Sequence, residues 1–141
     1  MFGIFGSKPT LTITGVTGFV GSQMLNHCLK EYSDKVKIRG MVRDTENEIK
    51  MGPLKEFFTP EQLAQVEFVN ADLNDEGAID KAIEGSTYVI HTASPVAVAD
   101  PNSEEELVEP AVNGANNIMR ACQKHKVKRI VMTASHTTVS G

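Results

Sequence analysis

Thr14-Gly15-Val16-Thr17-Gly18-Phe19-Val20-Gly21 constrains this chain more than any other stretch. It sits between a short apolar run, Thr10–Thr14, and an amphipathic stretch that begins at Phe19. Glycines at this spacing in a strand-to-helix turn let the backbone approach a pyrophosphate, which then lies over the N–H groups and positive end of the helix. Gly15 takes the tight turn, Gly18 omits a Cβ where a diphosphate would pass, and Gly21 lets the helix pack on the strand. A glycine triplet by itself is an ordinary turn. The strand before it and the helix after it are what give it weight.

Strands and helices alternate along the rest of the chain. After the strand Thr10–Thr14, the first helix sets Val20, Met24, Cys28, Leu25, Leu29 and Tyr32 on an apolar face. Val36–Val42 and Gln65–Val69 read as the second and third strands, with a weak helix between them over Glu46–Phe58, interrupted at Gly52-Pro53. Asn74–Glu84 is a helix that Gly85 stops, and Thr87–His91 is the fourth strand. Ser103–His125 is the longest helix, opened by a Ser103/Glu106 capping box and carrying Leu107, Ala111, Ala115, Ile118, Met119 and Cys122 inward. Arg129–Thr133 is the fifth strand. Right-handed crossovers of this kind give an α/β fold, a doubly wound parallel sheet of order 3-2-1-4-5. Its ligand crevice lies between strands 1 and 4, at their carboxyl ends. Residues 1–9 read as a flexible lead-in and 10–141 as one domain.

Bulk properties exclude several classes. A net charge of −4 with interspersed signs argues against nucleic acid or an anionic membrane as partner. No apolar run approaches the ~20 residues of a membrane span. Cys28 and Cys122, without a CxxC or a Cys/His cluster, read as buried thiols in a reducing, cytoplasmic setting, and no histidine spacing suggests a metal.

Four further stretches fall where a crevice ligand would need them. Arg43 closes the second strand about 22 positions after Gly21, where an acid suits NAD and an arginine accommodates a 2′-phosphate. Lys50 adds a second positive charge, whereas Asp44 is a candidate NAD-type acid and Arg43-Asp44 could equally be a solvated pair; the balance favours NADP. Asp72-Leu73 suits an adenine ring, although Asp72 serves as well as a helix N-cap. Thr92-Ala93-Ser94 offers small residues for a ribose and diphosphate, while His91 before it reads as a satisfied core residue. Ser135, at the end of the fifth strand, can hydrogen-bond a substrate carbonyl, with Asn113 holding a water nearby; a serine there is otherwise a turn residue.

Together TGVTGFVGS, VRD, ADL, HTASP, PAVNGANN and KRIVMTAS, in that order and spacing, resemble the extended short-chain dehydrogenase/reductases of the NAD-dependent epimerase/dehydratase superfamily. The likeness is to the branch of dihydroflavonol-4-reductase, cinnamoyl-CoA reductase and methylglyoxal reductase. It implies a Rossmann fold and NADP(H). By that resemblance Gly15, Thr17, Gly18, Phe19 and Val20 hold the diphosphate, with Gly21 counted among the cofactor-binding residues, and Arg43 and Lys50 hold the 2′-phosphate. Asp72 and Leu73 take the adenine, Thr92, Ala93 and Ser94 the ribose, and Ser135 is the active-site serine.

The departures bear on activity. The family uses Tyr-x-x-x-Lys, a tyrosine acid tuned by a lysine. Here Tyr32 is followed four positions on by Val36 and Tyr88 by Thr92. Measured against that family, the later strands and substrate lobe are missing, and His136 follows Ser135 where a small or apolar residue is usual. The expectation is therefore the NADP(H)-binding part of a carbonyl reductase, inactive alone, with an apolar patch that favours self-association. The alternatives are a non-catalytic NADP(H)-binding module and a subunit completed by another chain.

Overall fold

A computed structural model describes residues 7–95 and 105–136, with the side chains of 105 and 107 left out. Most of the expected lead-in and the Ser103 half of the capping box lie outside the described residues, as does the side chain of Leu107.

Five parallel strands form one sheet of order β3-β2-β1-β4-β5, the order expected. They are β1 Thr10–Thr14, β2 Lys37–Val42, β3 Val66–Asn70, β4 Tyr88–His91 and β5 Arg129–Met132. Between them run α1 Phe19–Tyr32, α2 Glu48–Phe57, α3 Pro60–Leu63, α4 Glu76–Ile83 and α5 Glu105–Lys124. In the register of the central strands, Thr14 lies opposite Met41 on one side and His91 on the other.

Because strand side chains alternate, the sheet separates two cores. Leu11, Ile13, Ile38, Val42 and Val66 point to one face, where Leu25, Cys28 and Leu29 of α1 and Met51 and Leu54 of α2 cover them. Met41 and Val89 point to the other, under Ile79, Ala82 and Ile83 of α4 and Ile118, Ala121 and Cys122 of α5. Two free, buried cysteines thus sit in opposite cores, and burial pushes both thiols up from their ordinary range.

Three expectations need correction. Val20 and Tyr32, assigned to the inner face of α1, are exposed, because the buried arc runs through Gly21, Leu25, Cys28 and Leu29 instead. Met119 of α5 is likewise exposed, since the inward arc is Gly114, Asn117, Ile118, Ala121 and Cys122. Gly52-Pro53 does not break α2. Asn47 caps the helix by accepting from Lys50 N–H at 3.1 Å, and Met51, Leu54 and Phe58 anchor it in the first core. Burial there outweighs the backbone hydrogen bond that proline removes. A short helix missed in the sequence, α3, is closed by a capping box between Thr59 and Gln62.

The β4–β5 side is less covered. Val131 and Met132 of the edge strand and Val108, Val112 and Met119 of α5 are all exposed. At the opposite shoulder Arg39 ties β2 to the end of α4. Its guanidinium donates to the carbonyls of Ala82 and Glu84 at 2.9 and 2.7 Å and pairs with Glu67 at 3.0 Å. Lys124 and His125 both bond Asp80, joining the end of α5 to α4 and holding the Asp80 carboxyl below its usual range.

Packing density sets a direct expectation. Ile118→Ala, at a side chain with 0 % exposure, should cost about 2–5 kcal/mol by leaving a cavity. Ile49→Ala, at 86 % exposure on α2, should cost less than about 0.5 kcal/mol. Urea denaturation of both variants checks the pair; equal losses would contradict the core described here.

Candidate functional site: a cleft at the end of β1 and β4

The site begins with the turn after β1. Gly15 has φ +71°, a region L side chains rarely adopt, and its N–H donates to the Met41 carbonyl at 3.2 Å. A Cβ on Gly15 would stand 2.8 Å from Ala93 Cα, so the turn and the exit of β4 touch backbone to backbone. A Cβ on Gly21 would run into the Gly15 carbonyl and lie 2.9 Å from Thr92 Oγ1. A Cβ on Gly18, by contrast, would meet only the Gly15 carbonyl, at 3.3 Å. Gly15 and Gly21 are thus required by the protein's own packing, and Gly18 is open toward solvent.

Gly18 is also the N-cap of α1, without a side-chain cap and with no acidic residue in the first turn. Among the described residues, the N–H groups of Phe19, Val20 and Gly21 meet no acceptor. These are the donors that a helix start leaves unpaired, at its positive end.

Above this turn lies a cleft of about 650 Å³. Every cofactor-binding residue expected from the sequence lines it: Gly15, Thr17, Gly18, Phe19, Val20 and Gly21, Arg43 and Lys50, Asp72 and Leu73, and Thr92, Ala93 and Ser94. A smaller recess of about 370 Å³ brings Arg43 and Lys50 together with Thr17, Val42, Asp44 and Asn47. Arg43 forms no ion pair among the described residues, so the Arg43-Asp44 pair is not made; Asp44 instead accepts from Glu46 N–H at 2.9 Å.

The chain matches the model of the 3-beta hydroxysteroid dehydrogenase/isomerase family over residues 12–141. It belongs to that family. It is 38 % identical to tetraketide alpha-pyrone reductase 1 of Arabidopsis thaliana over 94 % of this chain and 40 % of the relative. It is 33 % identical to dihydroflavonol 4-reductase of Dianthus caryophyllus over 96 % of this chain and 36 % of the relative. Among solved structures, yeast methylglyoxal/isovaleraldehyde reductase Gre2 complexed with NADPH superposes with a TM-score of 0.69 at 27 % identity, covering 90 % of this chain and 37 % of that one. The chain therefore spans about two fifths of the length of the curated relatives it matches.

Within this member of the family, two sequence alternatives resolve. Asp72 is not the cap of α4: Asp75 is, accepting from Ala78 N–H at 2.9 Å, while Asp72 accepts from Asn74 N–H at 2.8 Å in a local turn. Asn113 is exposed, not inward. The buried amide is Asn117, one turn further, whose Nδ2 donates to the Leu73 carbonyl at 2.9 Å. Gly114 beside it leaves just enough room for Leu73, since a Cβ there would stand 3.0 Å from Leu73 Cβ. Helix α5 thus fixes the Leu73 wall of the cleft from behind. The signal was in the sequence: Asn117 shares the inward arc of Gly114, Ile118 and Ala121.

Ser135 lies past β5, exposed, and is not part of the cleft wall; His136 is exposed beside it. Met41, Val42, Ala71, Asn74, Pro95, Glu106 and Pro110 also line the cleft and were not assigned to it from the sequence.

His91 is a core residue, 4 % exposed, with Nδ1 2.7 Å from Thr14 Oγ1. Burial pushes its pKa below its ordinary 6.5, because the charged ring would lose its hydration. The unfolded chain therefore takes up a proton on this ring more readily than the folded one. The stability His91 contributes is complete above about pH 6.5 and is lost as pH falls below it. Thermal melts from pH 7.5 to 5 should show a falling Tm, and His91→Asn should flatten that fall. An identical slope in the variant would rule this histidine out as its source.

Proposed function

We propose that this chain binds NADP(H) in the cleft between β1 and β4, as the nucleotide-binding part of a reductase that acts on carbonyl groups. The observation that supports this is one cleft in which a glycine turn, an uncapped helix start and the Arg43/Lys50 pair meet. A diphosphate above Gly18 would accept from the N–H groups of Phe19, Val20 and Gly21, and Phe19, 84 % exposed, offers apolar surface for the ligand to cover. The guanidinium fork of Arg43, with Lys50 beside it, suits a 2′-phosphate. Asp72 and Leu73 suit the adenine, and Thr92, Ala93 and Ser94 suit the ribose. The likeness to reductases, one of them solved with NADPH, agrees with this assignment.

Carbonyl reduction takes a hydride, which the bound dinucleotide would supply, and a proton, which the protein must supply. The only tyrosines, Tyr32 and Tyr88, lack a lysine four positions on, and the candidate carbonyl donor Ser135 is not on the cleft wall. These residues therefore supply the nucleotide-binding cleft without a placed proton donor; an NADP(H)-binding module and a subunit completed by another chain are the alternative readings. We assign it to the cytoplasm on its two free thiols; among the described residues no helix is long and apolar enough to cross a membrane. The exposed Val131, Met132, Val108, Val112 and Met119 favour self-association.

The assignment makes linked predictions. NADPH should bind more tightly than NADH, and Arg43→Ala should remove about 1.5–3 kcal/mol of that preference, roughly ten- to a hundredfold. Calorimetric titration of both nucleotides checks it, and an Arg43→Ala protein that still prefers NADPH would sink the 2′-phosphate assignment. Gly18→Val should abolish nucleotide binding with little change in Tm, because the glycine faces the cleft and not the core; normal binding would move the diphosphate elsewhere. With NADPH and a panel of aldehydes the purified chain should show no turnover. Turnover lost in His136→Ala would identify a proton donor that the motif comparison overlooks.

A further inference from the structure

At the end of β1 a single hydroxyl organises the backbone that faces the cleft. Thr14 Oγ1 lies 3.2 Å from Thr92 N, 3.1 Å from Ala93 N and 2.7 Å from His91 Nδ1. The two backbone groups can only donate, and a hydroxyl oxygen has two lone pairs and one proton. Both lone pairs are thereby taken. The one remaining proton of Thr14 must point at His91, so Nδ1 is the acceptor and the ring carries its proton on Nε2. A ring protonated on Nδ1 would aim a donor at an oxygen with nothing left to offer.

The same residues are tied a second time through the backbone. Thr92 Oγ1 donates to the Thr14 carbonyl at 2.6 Å, and the His91 carbonyl accepts from Thr133 N–H at 3.0 Å. The exits of β1, β4 and β5 therefore meet at Thr14 and His91. Ala93, whose N–H is one of the two bound, is also the residue against which Gly15 packs. Neither Thr14 nor His91 lines the cleft, whereas Gly15, Thr92 and Ala93 all do.

We propose that Thr14 and His91 form a positioning pair. The hydroxyl, oriented by a neutral Nδ1 acceptor, sets Thr92 and Ala93 at the distance from Gly15 that leaves room for the ribose and diphosphate of a dinucleotide. The role rests on the nucleotide-binding reading of the cleft. The pair touches no ligand. It acts by holding two N–H groups that would otherwise be free to turn the β4 exit into the cleft. What it requires is specific: a hydroxyl at 14 and an acceptor at the Nδ1 position of 91, with neither a charge nor an Nε2 contact involved.

The experiment pairs ring-nitrogen NMR of the ¹⁵N-labelled chain with NADPH titration of four variants. The wild-type His91 ring should show the neutral Nε2–H form at pH 7.5. Thr14→Val keeps the shape and removes the hydroxyl, and His91→Phe removes the acceptor; each should weaken NADPH binding by about tenfold or more while still unfolding cooperatively. Thr14→Ser and His91→Asn keep the hydroxyl or an acceptor near Nδ1, and each should restore most of the affinity. A proton found on Nδ1, or Thr14→Val binding NADPH like the wild type, overturns the pair. If Thr14→Val does not fold, a His91→Asn protein no tighter than His91→Phe overturns it as well. Wild-type protein that binds no NADPH overturns the reading of the cleft and the pair's role with it, whereas binding that survives every substitution overturns the pair alone.

Discussion

Where β1 ends, the Gly15 carbonyl accepts the Gly18 N–H, the start of α1 presses against that carbonyl at Gly21, and Ala93 of the β4 exit closes on Gly15 from the other side. The two ends of one short turn and a strand exit far along the chain approach within the width of a missing methyl group. That contact fixes the tilt at which α1 leaves the sheet, and so the direction of its unpaired N–H groups. It also fixes how close the two central strand exits stand.

The sheet under this turn carries a polar seam inside an apolar body. Thr12 and Thr14 are fully buried on the central strand, each matched to a partner at one end of β4: Thr12 to Ser86, just before the strand, at 2.7 Å and Thr14 to His91, its last residue. Among the described residues no buried side-chain polar atom lacks a hydrogen bond. Each hydroxyl there would cost more unpaired than it contributes when paired, so the seam specifies the β1–β4 register more than it adds to stability. A one-residue slip would strand both threonines in the hydrophobic core.

Much of this was legible in the sequence because the determinants are local or periodic. Strand order follows from alternation and crossover handedness, and the turn from its glycines. The cleft wall follows from residues that end strands, which topology gathers at one edge of the sheet. What was missed depended on tertiary choice. Helix α2 runs through Gly52-Pro53 because Met51 and Leu54 have a core to enter, which no local propensity reports. On α5 the inward amide was placed one turn early, at Asn113 instead of Asn117, because its apolar residues form two stripes. One is buried at Ile118 and Cys122, and one is exposed at Val108, Val112 and Met119. The inner stripe is chosen by Gly114 and Asn117, a small residue and an amide that hydropathy patterns do not weight. Likewise Thr14 reads as one more strand residue until its three partners are seen.

The division of labour among the three glycines bears on how the cleft would meet a ligand. Gly15 and Gly21 are held by the protein itself, so the turn has its shape before anything binds. Gly18 is spared from packing, and the N–H groups beyond it point outward without acceptors. A site of this kind spends little ordering on binding, since the donors are already aligned and the loop opposite them is already tied down. The charges follow the same logic. Lys50 stands in the first turn of α2, capped by Asn47, and Arg43 directly follows Val42, the last paired residue of β2. Neither forms an ion pair among the described residues that an anion would have to break. A preformed site with unengaged donors and cations discriminates between ligands mainly by charge placement. On the proposed reading of the cleft, the presence or absence of one phosphate, more than the bulk of the ligand, is therefore the variable to which binding should be most sensitive.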